Sequence, residues 1–116
     1  MQEMDVPIFK ATYELYKTLY AYRATVPKLD RYGLWQRTEG LTLSILEAII
    51  RASQVAKSDK LTPLEQGSLN LNVLRVLLRL AKDTRAIDLR KYAVAQAQID
   101  EIGRMLGGWI KSVRER

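Results

Sequence analysis

Apolar residues recur at intervals of three and four along most of the chain, in four separate runs. This spacing places the members of each run on one face of an α-helix. The four predicted inner faces are Ile8, Ala11, Leu15, Leu19, Tyr22 and Val26; Leu34, Leu41, Ile45, Ile49, Ala52 and Val55; Leu71, Leu74, Leu77, Leu78 and Ala81; and Tyr92, Ala95, Ile99, Ile102, Leu106, Ile110 and Val113. No segment alternates strictly between apolar and polar residues, as a half-buried strand does. The pattern therefore predicts an all-α protein.

Short breaks separate the four runs. The first run starts at Pro7, which suits the first turn of a helix, and Pro27 with residues 28–33 ends it. Residues 58–63 and 83–87 form the other two breaks. Short connections make successive helices antiparallel neighbours, so residues 1–116 are predicted to form one domain, an up-down four-helix bundle.

Two of these breaks carry helix-start signals. Thr62 followed by Pro63, with Glu65 three residues after Thr62, reads as an N-cap with a first-turn proline and a capping box. Asp88 is predicted to cap the fourth helix.

The first two long helices carry a second apolar stripe. In the first helix this stripe is Phe9, Tyr13, Tyr16 and Tyr20; in the second helix it is Leu43, Leu46 and Ile50. The stripes either widen the core-facing surface, with tyrosine hydroxyls at its edge, or form a subunit or partner interface. Both interpretations stay open at this point, and the four aromatic residues are candidate interface residues.

Three glycines interrupt the last predicted helix: Gly103, Gly107 and Gly108. Each costs about 1 kcal/mol relative to alanine in a helix interior, so close approach of another helix or a local bend should compensate. Trp109 follows them directly and is expected either in the core or at an interface. We take Gly103, Gly107 and Trp109 as further candidate interface residues.

The sequence lacks the usual side chains of catalysis and metal binding. It contains neither histidine nor cysteine, and no Gly-x-x-x-x-Gly-Lys phosphate loop. The possible acids are Glu14, Glu39, Glu47, Asp100 and Glu101, for which a solvated face or an intrahelical ion pair is the expected role. We therefore expect no enzyme, no metal and no cofactor. An arginine-based enzyme for a dianionic substrate stays as an alternative, and it requires a polar central pocket.

The chain is basic, with 19 Lys and Arg against 13 Asp and Glu and a formal net charge of +6. A basic protein attracts polyanions such as nucleic acid through long-range attraction and counterion release. The candidate phosphate-binding residues, chosen by charge alone, are Arg75, Arg79, Lys82, Arg85, Arg90, Lys91, Arg104 and Lys111. The alternative for these side chains is a solubilising face that also complements the helix dipole. The absence of an apolar run of 18 residues and of a basic leader favours a cytoplasmic protein without a membrane anchor.

Several short segments resemble the accessory variability determinant (Avd) proteins of diversity-generating retroelements, within a wider family that includes four-helix-bundle proteins of ribosomal RNA intervening sequences. They are Val26-Pro27-Lys28, Arg31-Tyr32-Gly33-Leu34, Leu78 to Ala81, and Gly103-Arg104-Met105-Leu106-Gly107-Gly108-Trp109-Ile110. The last segment is the specific one. Residues 42–49 lack the Ile-Pro-x-Asn-Ile-Ala-Glu-Gly stretch of the intervening-sequence proteins, which favours the retroelement branch.

The resemblance implies a pentameric barrel of four-helix bundles, encoded by a bacterium, archaeon or phage, with a positive surface. It also implies binding to a reverse transcriptase and to template RNA or cDNA, in support of mutagenic cDNA synthesis and without catalysis. The alternative is a general four-helix-bundle interaction protein that has no reverse transcriptase partner.

Overall fold

The computed structural model describes residues 6–115, and within this range every regular element is helical. The helices are α1 (Pro7–Tyr22), α2 (Lys28–Arg31), α3 (Leu34–Gln54), α4 (Leu61–Asp83) and α5 (Leu89–Arg114). Short 3-10 turns cover Arg23–Thr25 and Lys57–Asp59. The four long helices pack in the order α1, α3, α4, α5, and α5 closes the bundle against α1. The predicted four-helix bundle is confirmed.

The core is formed by the apolar faces that the sequence predicts. Leu15 and Leu19 of α1, Ile45 of α3, Leu74 of α4 and Ile99 of α5 are completely buried. Trp35, which the periodic runs leave out, is also fully buried, and its indole N–H donates to the Leu19 carbonyl at 3.1 Å. This bond ties the start of α3 to the end of α1 and satisfies the polar atom of a buried tryptophan.

The first helix ends earlier than its apolar spacing predicts. It stops at Tyr22, and the chain tightens into the 3-10 turn before Val26 adopts an extended conformation. The cause is Pro27, because a residue that precedes proline is pushed towards extended backbone. Val26 stays buried although it lies outside the helix.

The predicted break at residues 28–33 contains one helical turn, α2. The Arg31 side chain crosses back from this turn and donates to the carbonyls of Val26 (3.0 Å) and Ala24 (3.3 Å). Arg31 thereby satisfies backbone acceptors that the end of α1 leaves free.

The prediction that Thr62 caps α4 is wrong. The helix starts at Leu61, its N-cap position is Lys60, and no side chain caps it by a hydrogen bond. The 3-10 turn runs directly into α4, so Thr62 and Pro63 already lie in the first helical turn. Backbone N–H groups in this turn have no intrahelical partner, so proline, which has no N–H, causes no loss there. Glu65 pairs with Arg114 of α5 instead of closing a capping box. At α5 the prediction is confirmed, since Asp88 Oδ1 accepts from the Lys91 N–H at 2.8 Å.

The buried threonines and Glu39 are satisfied locally or in pairs, whereas the buried Gln98 Oε1 has no hydrogen-bond partner among the described residues. The hydroxyls of Thr12 and Thr42 donate to the carbonyls of Ile8 and Thr38, one turn back. The expectation that Glu39 lies on a solvated face or forms an ion pair within its own helix is wrong. Its side chain is only 5% exposed, and both of its oxygens accept from Arg23, at 2.5 and 3.2 Å. The Glu39 carboxylate, first as hydrogen-bond acceptor and then as opposite charge, raises the pKa of the Arg23 guanidinium.

Candidate nucleic-acid interface

The end of α4 places Arg85 in a left-handed conformation, with φ of 64°. The Arg85 N–H donates to the Lys82 carbonyl (3.0 Å) and the Ala86 N–H donates to the Ala81 carbonyl (2.8 Å). These two bonds form a Schellman motif, in which glycine is the usual residue at the position that Arg85 occupies. A residue with a Cβ costs about 1–2 kcal/mol in this conformation. The backbone of Arg85 is therefore strained relative to that of a glycine at the same position.

A cleft opens beside this turn, between the ends of α4 and α5 and the turn that follows α1. Its volume is about 470 Å³, and we call it the cationic cleft. The residues that line it are Thr25, Lys82, Arg85, Ala86, Ile87, Asp88, Leu89 and Lys91. Ala86 and Ile87 are buried and form its floor. Three cations and one carboxylate face the cleft, so its lining is net positive.

Aromatic rings from two helices hold two of the cations. Lys82 Nζ lies 4.8 Å from the centre of the Tyr92 ring, and Lys91 Nζ lies 5.7 Å from the centre of the Tyr22 ring. Both distances are within the range of cation–π attraction. Tyr22 and Tyr92 were not among the residues predicted for this site. Their contribution depends on how the helices pack, and residue spacing within one helix gives no signal of it.

Asp88 caps α5 and tempers the positive charge of the cleft. The backbone N–H of Lys91 and the nearby positive charges of Lys91 and Arg90 lower the pKa of Asp88. Burial and the charge of Asp88 raise the pKa of Tyr22. Asp88 is therefore ionised at neutral pH, and an anionic ligand in the cleft competes with its carboxylate for Lys91, which lies 3.5 Å away.

The eight candidate phosphate-binding residues do not form one continuous strip. Lys82, Arg85 and Lys91 meet at the cationic cleft, and Arg90 is exposed beside Lys91. Arg79 is exposed one turn before Lys82 on α4. Arg104 is bound to Glu101 on the same helix, and Lys111 lies near the other end of α5, about 30 Å from Lys91 along the helix axis.

Arg75 is engaged by α5 at the partly exposed boundary between α4 and α5. Its guanidinium lies 2.6 Å from an Asp100 oxygen, so an acid distant in sequence neutralises a cation that looks unopposed on α4. Hydrogen bonds from Arg75 and then from Gln96 lower the pKa of Asp100. The Arg75 side chain crosses over Gly103, where a Cβ would lie 2.5 Å from its terminal nitrogen. The close approach that the sequence predicts at Gly103 is thus made by the Arg75 side chain of α4.

The other candidate interface residues lie at different depths. Phe9 is buried, Tyr16 and Trp109 are half-buried, and Tyr13 and Tyr20 are 46% and 56% exposed. Gly107 is exposed, and a Cβ there would meet open space. Trp109 and Met105 line an apolar groove of about 530 Å³ together with Val6, Pro7, Ile8, Ser53 and Lys60.

A further apolar surface, absent from the predictions, runs along the outside of α4. Leu69, Val73, Val76 and Leu80 are spaced by four, three and four residues, and their mean direction is about 150° around the axis from that of the buried face that contains Leu74. Leu69, Val76 and Leu80 are between 46% and 56% exposed, and Val73 is half-buried. We call these four residues the α4 seam. Such spacing is typical of a helix that packs against another helix on that side.

Clusters of metal-binding side chains and membrane-spanning helices are both absent from the part of the chain that the structure describes. Among residues 6–115 no three carboxylate side chains are grouped so that they could hold a metal ion. Nor is any helix in this range long and apolar enough to cross a membrane.

These features define a basic four-helix bundle with a positively charged cleft at one end and exposed apolar surfaces along its sides. The model of the bAvd-like family matches residues 7–113, and the chain belongs to this family. A comparison of the sequence with curated proteins gives no match.

Proposed function

We propose that this protein is a noncatalytic accessory factor of a diversity-generating retroelement, which binds template RNA or cDNA and the reverse transcriptase during mutagenic cDNA synthesis. The match to the bAvd-like family over residues 7–113 supports the retroelement role. The cationic cleft carries the nucleic-acid part of the proposal, because it gathers Lys82, Arg85 and Lys91 around one opening.

The cleft suits a phosphate backbone better than base edges. Its polar groups are cationic side chains, which attract phosphates without regard to sequence. Lys82 and Lys91 lie over tyrosine rings, and their ion pairs with Asp83 and Asp88 are solvent-exposed, so a phosphate can replace these carboxylates at little cost. Binding through the cleft should therefore be steeply dependent on salt and weakly dependent on sequence.

The test compares a variant of the cleft with a matched variant elsewhere. Arg85→Gln/Lys91→Gln removes one arginine and one lysine from the cleft, and Arg51→Gln/Lys57→Gln removes the same types from exposed positions near the other end of the bundle. Filter binding to structured RNA and to duplex DNA is measured across a salt series. Each lost phosphate contact should reduce the salt slope by about 0.9 on duplex DNA. Equal slopes for the two variants would remove the cleft from the interface.

The reverse transcriptase part needs its own test. The gene for this protein should lie beside a reverse transcriptase gene and an adenine-rich template repeat, and the two proteins should copurify when expressed together. Activity of the polymerase on its template should fall without the accessory protein, whereas the protein alone should catalyse no reaction.

We also propose that the chain self-associates, with a pentamer as the state that the family resemblance implies. The α4 seam supports this part, since three large apolar side chains lie about half exposed on one helical face. Light scattering should give a solution mass several times 13.3 kDa. Val76→Asp, placed in the middle of the seam, should lower that mass if the seam is a subunit contact.

A second candidate function is a general protein-interaction module without a reverse transcriptase partner. The apolar groove beside Trp109 favours it, because such a groove can accept an apolar side chain of another protein. Absence of nucleic-acid binding at low salt, together with a gene that has no reverse transcriptase neighbour, would favour this alternative.

A further inference from the structure

The outer edge of α1 alternates cations with aromatic rings. Lys10, Tyr13, Lys17, Tyr20 and Arg23 follow one another at intervals of three, four, three and three residues, and all five are exposed. Because each residue turns the helix by about 100°, the first four lie within about 80° of one another. We call these five residues the aromatic–cationic edge.

The exposed rings of this edge are fixed by their neighbours. The Tyr13 ring stacks on Phe9, with centroids 6.1 Å apart and planes 25° apart, and Tyr20 stacks on Tyr16 at 6.2 Å and 29°. Phe9 is buried and Tyr16 half-buried, so in each pair one ring is held by the protein and the other faces solvent. A ligand that stacks on Tyr13 or Tyr20 therefore meets a surface that is already ordered.

Cations lie beside both exposed rings. Lys17 Nζ is 5.9 Å from the Tyr13 ring centre, and the Arg23 guanidinium is 5.0 Å from the Tyr20 ring centre. Arg23 is fixed by Glu39, which also offsets its charge, whereas within residues 6–115 the acid paired with Lys17 is the exposed Glu14, at 3.5 Å. Lys10 and Lys17 are therefore the cations best placed to meet an anionic ligand, and Arg23 serves to hold the Tyr20 ring.

We propose that the aromatic–cationic edge binds unpaired bases of a single-stranded nucleic acid, with Tyr13 and Tyr20 as stacking surfaces and Lys10 and Lys17 as phosphate contacts. This inference rests on the proposed nucleic-acid function and adds a second site of different specificity. Rings interleaved with cations suit single strands, because an unpaired base exposes its face whereas a base in a duplex does not. The cationic cleft, in contrast, has no exposed ring and suits any phosphate backbone.

A second copy of the chain fits this edge less well. In a two-fold contact, two such edges would place Lys10 and Lys17 of one copy against the same cations of the other, out of water; in a ring, where different surfaces meet, both lysines would still have to be buried or paired with acids of the neighbouring copy. The α4 seam, whose four residues are uncharged, carries no such penalty. Charge thus favours a polyanion on the edge of α1 and an apolar partner on α4.

The edge also leads into the cationic cleft. Arg23 is the first residue of the 3-10 turn, and Thr25 of the same turn lines the cleft. Tyr22, one position before Arg23, lies under Lys91 of the cleft. A nucleic acid with a single-stranded segment next to a paired segment could therefore occupy both sites along one path.

The experiment measures filter binding of the full chain to unstructured oligo(dT) and to a DNA duplex of equal length. Tyr13→Leu/Tyr20→Leu removes both rings and keeps apolar bulk, and Tyr13→Phe/Tyr20→Phe is the matched control that keeps the rings. Stacking contributes roughly 5- to 150-fold per base. The leucine variant should therefore lose at least about 25-fold in affinity for the single strand if both rings stack, with duplex affinity within about two-fold of wild type. The phenylalanine variant should bind both ligands as the wild type does.

Other outcomes would overturn the inference. Unchanged single-strand affinity of the leucine variant, or equal losses for single strand and duplex, would show that the rings do not stack on bases. A lower solution mass of the leucine variant would make the edge a subunit contact, and helical content by circular dichroism confirms that the variant is folded. If the cleft variant loses binding and the leucine variant does not, the proposed function stands and this inference falls. If the wild-type chain binds neither of these ligands nor structured RNA, both this inference and the nucleic-acid part of the proposed function fall.

Discussion

Gly103 offers a direct test of how α4 and α5 fit together. In an open helical position, Gly→Ala should stabilise the protein by about 0.8–1.0 kcal/mol, since alanine loses less backbone entropy than glycine. Gly108 is such a position, because a Cβ there meets nothing within 4 Å. At Gly103 the same Cβ would lie 2.5 Å from the Arg75 terminal nitrogen and 3.4 Å from Leu71. The guanidinium must then shift, and we expect its pair with Asp100 to be broken.

The magnitude follows from the partial exposure of that pair. The Arg75 and Asp100 side chains are 32% and 58% exposed, so solvent screens them and the pair contributes about 0.2–1 kcal/mol. Gly103→Ala should therefore change the free energy of unfolding by about −0.2 to +0.8 kcal/mol, less than the gain of Gly108→Ala by the energy of the ion pair. The free energies of unfolding come from urea denaturation followed by circular dichroism.

A double-mutant cycle isolates the cause. In an Arg75→Ala background the guanidinium no longer obstructs a Cβ at position 103. Gly103→Ala should then raise the free energy of unfolding by as much as Gly108→Ala does. The pKa of Asp100 should also rise towards its ordinary value in Gly103→Ala and stay low in Gly108→Ala, because only the former displaces the Arg75 donor. Equal gains for the two alanine variants in the wild-type background would refute the reasoning.

Three other predictions follow from the same structure. Arg85→Gly should stabilise the protein by about 1 kcal/mol in urea denaturation, because glycine adopts the left-handed conformation freely. The same variant should bind nucleic acid more weakly than the wild type. A variant that is more stable and binds nucleic acid as tightly as the wild type would show that the Arg85 side chain does not contribute to binding. Asp88→Asn should keep the cap of α5 and tighten binding by removing a negative charge from the cleft, whereas Asp88→Ala should lower the melting temperature, which thermal unfolding and filter binding measure together. Stability should be nearly constant from about pH 5 to about pH 9, because the chain has no histidine. Stability should fall below about pH 4, because Asp88 and Asp100 have lowered pKa values in the folded chain and the unfolded chain therefore binds protons more readily. Stability should also fall above about pH 10, because Tyr22 has a raised pKa in the folded chain and the unfolded chain therefore loses that proton more readily. A transition near pH 6.5 would contradict this assignment.

The helices and the core were predictable because their signals are local. A period of three to four residues identifies which residues of one helix share a face, and the side chains of Leu15, Ile45, Leu74 and Ile99 are buried as that pattern requires. Caps were predictable only in part. Asp88 has the extended backbone that an N-cap needs, whereas Thr62 lost that role because the 3-10 turn had already started the helix.

The candidate site was less predictable because it depends on how the helices are rotated against one another. Arg75 and Asp100 are 25 residues apart, and no spacing rule within one helix pairs them. The left-handed conformation of Arg85 has no local signal either, since glycine or asparagine is the residue that marks such a position. The spacing of Leu69, Val76 and Leu80 is visible in the sequence, but a helix with two apolar faces does not reveal by spacing alone which face turns to the core.

The two tryptophans are intrinsic fluorescent probes of two different parts of the protein. Trp35 is sealed in the core near the end of the bundle that carries the cationic cleft, and Trp109 is half-buried beside the apolar groove on α5. A collisional quencher dissolved in water should reach the Trp109 indole and not that of Trp35. The emission that the quencher removes thus reports on events at the groove, and the emission that it leaves reports on loss of the core. A partner that covers the groove should protect Trp109 while the emission of Trp35 stays constant.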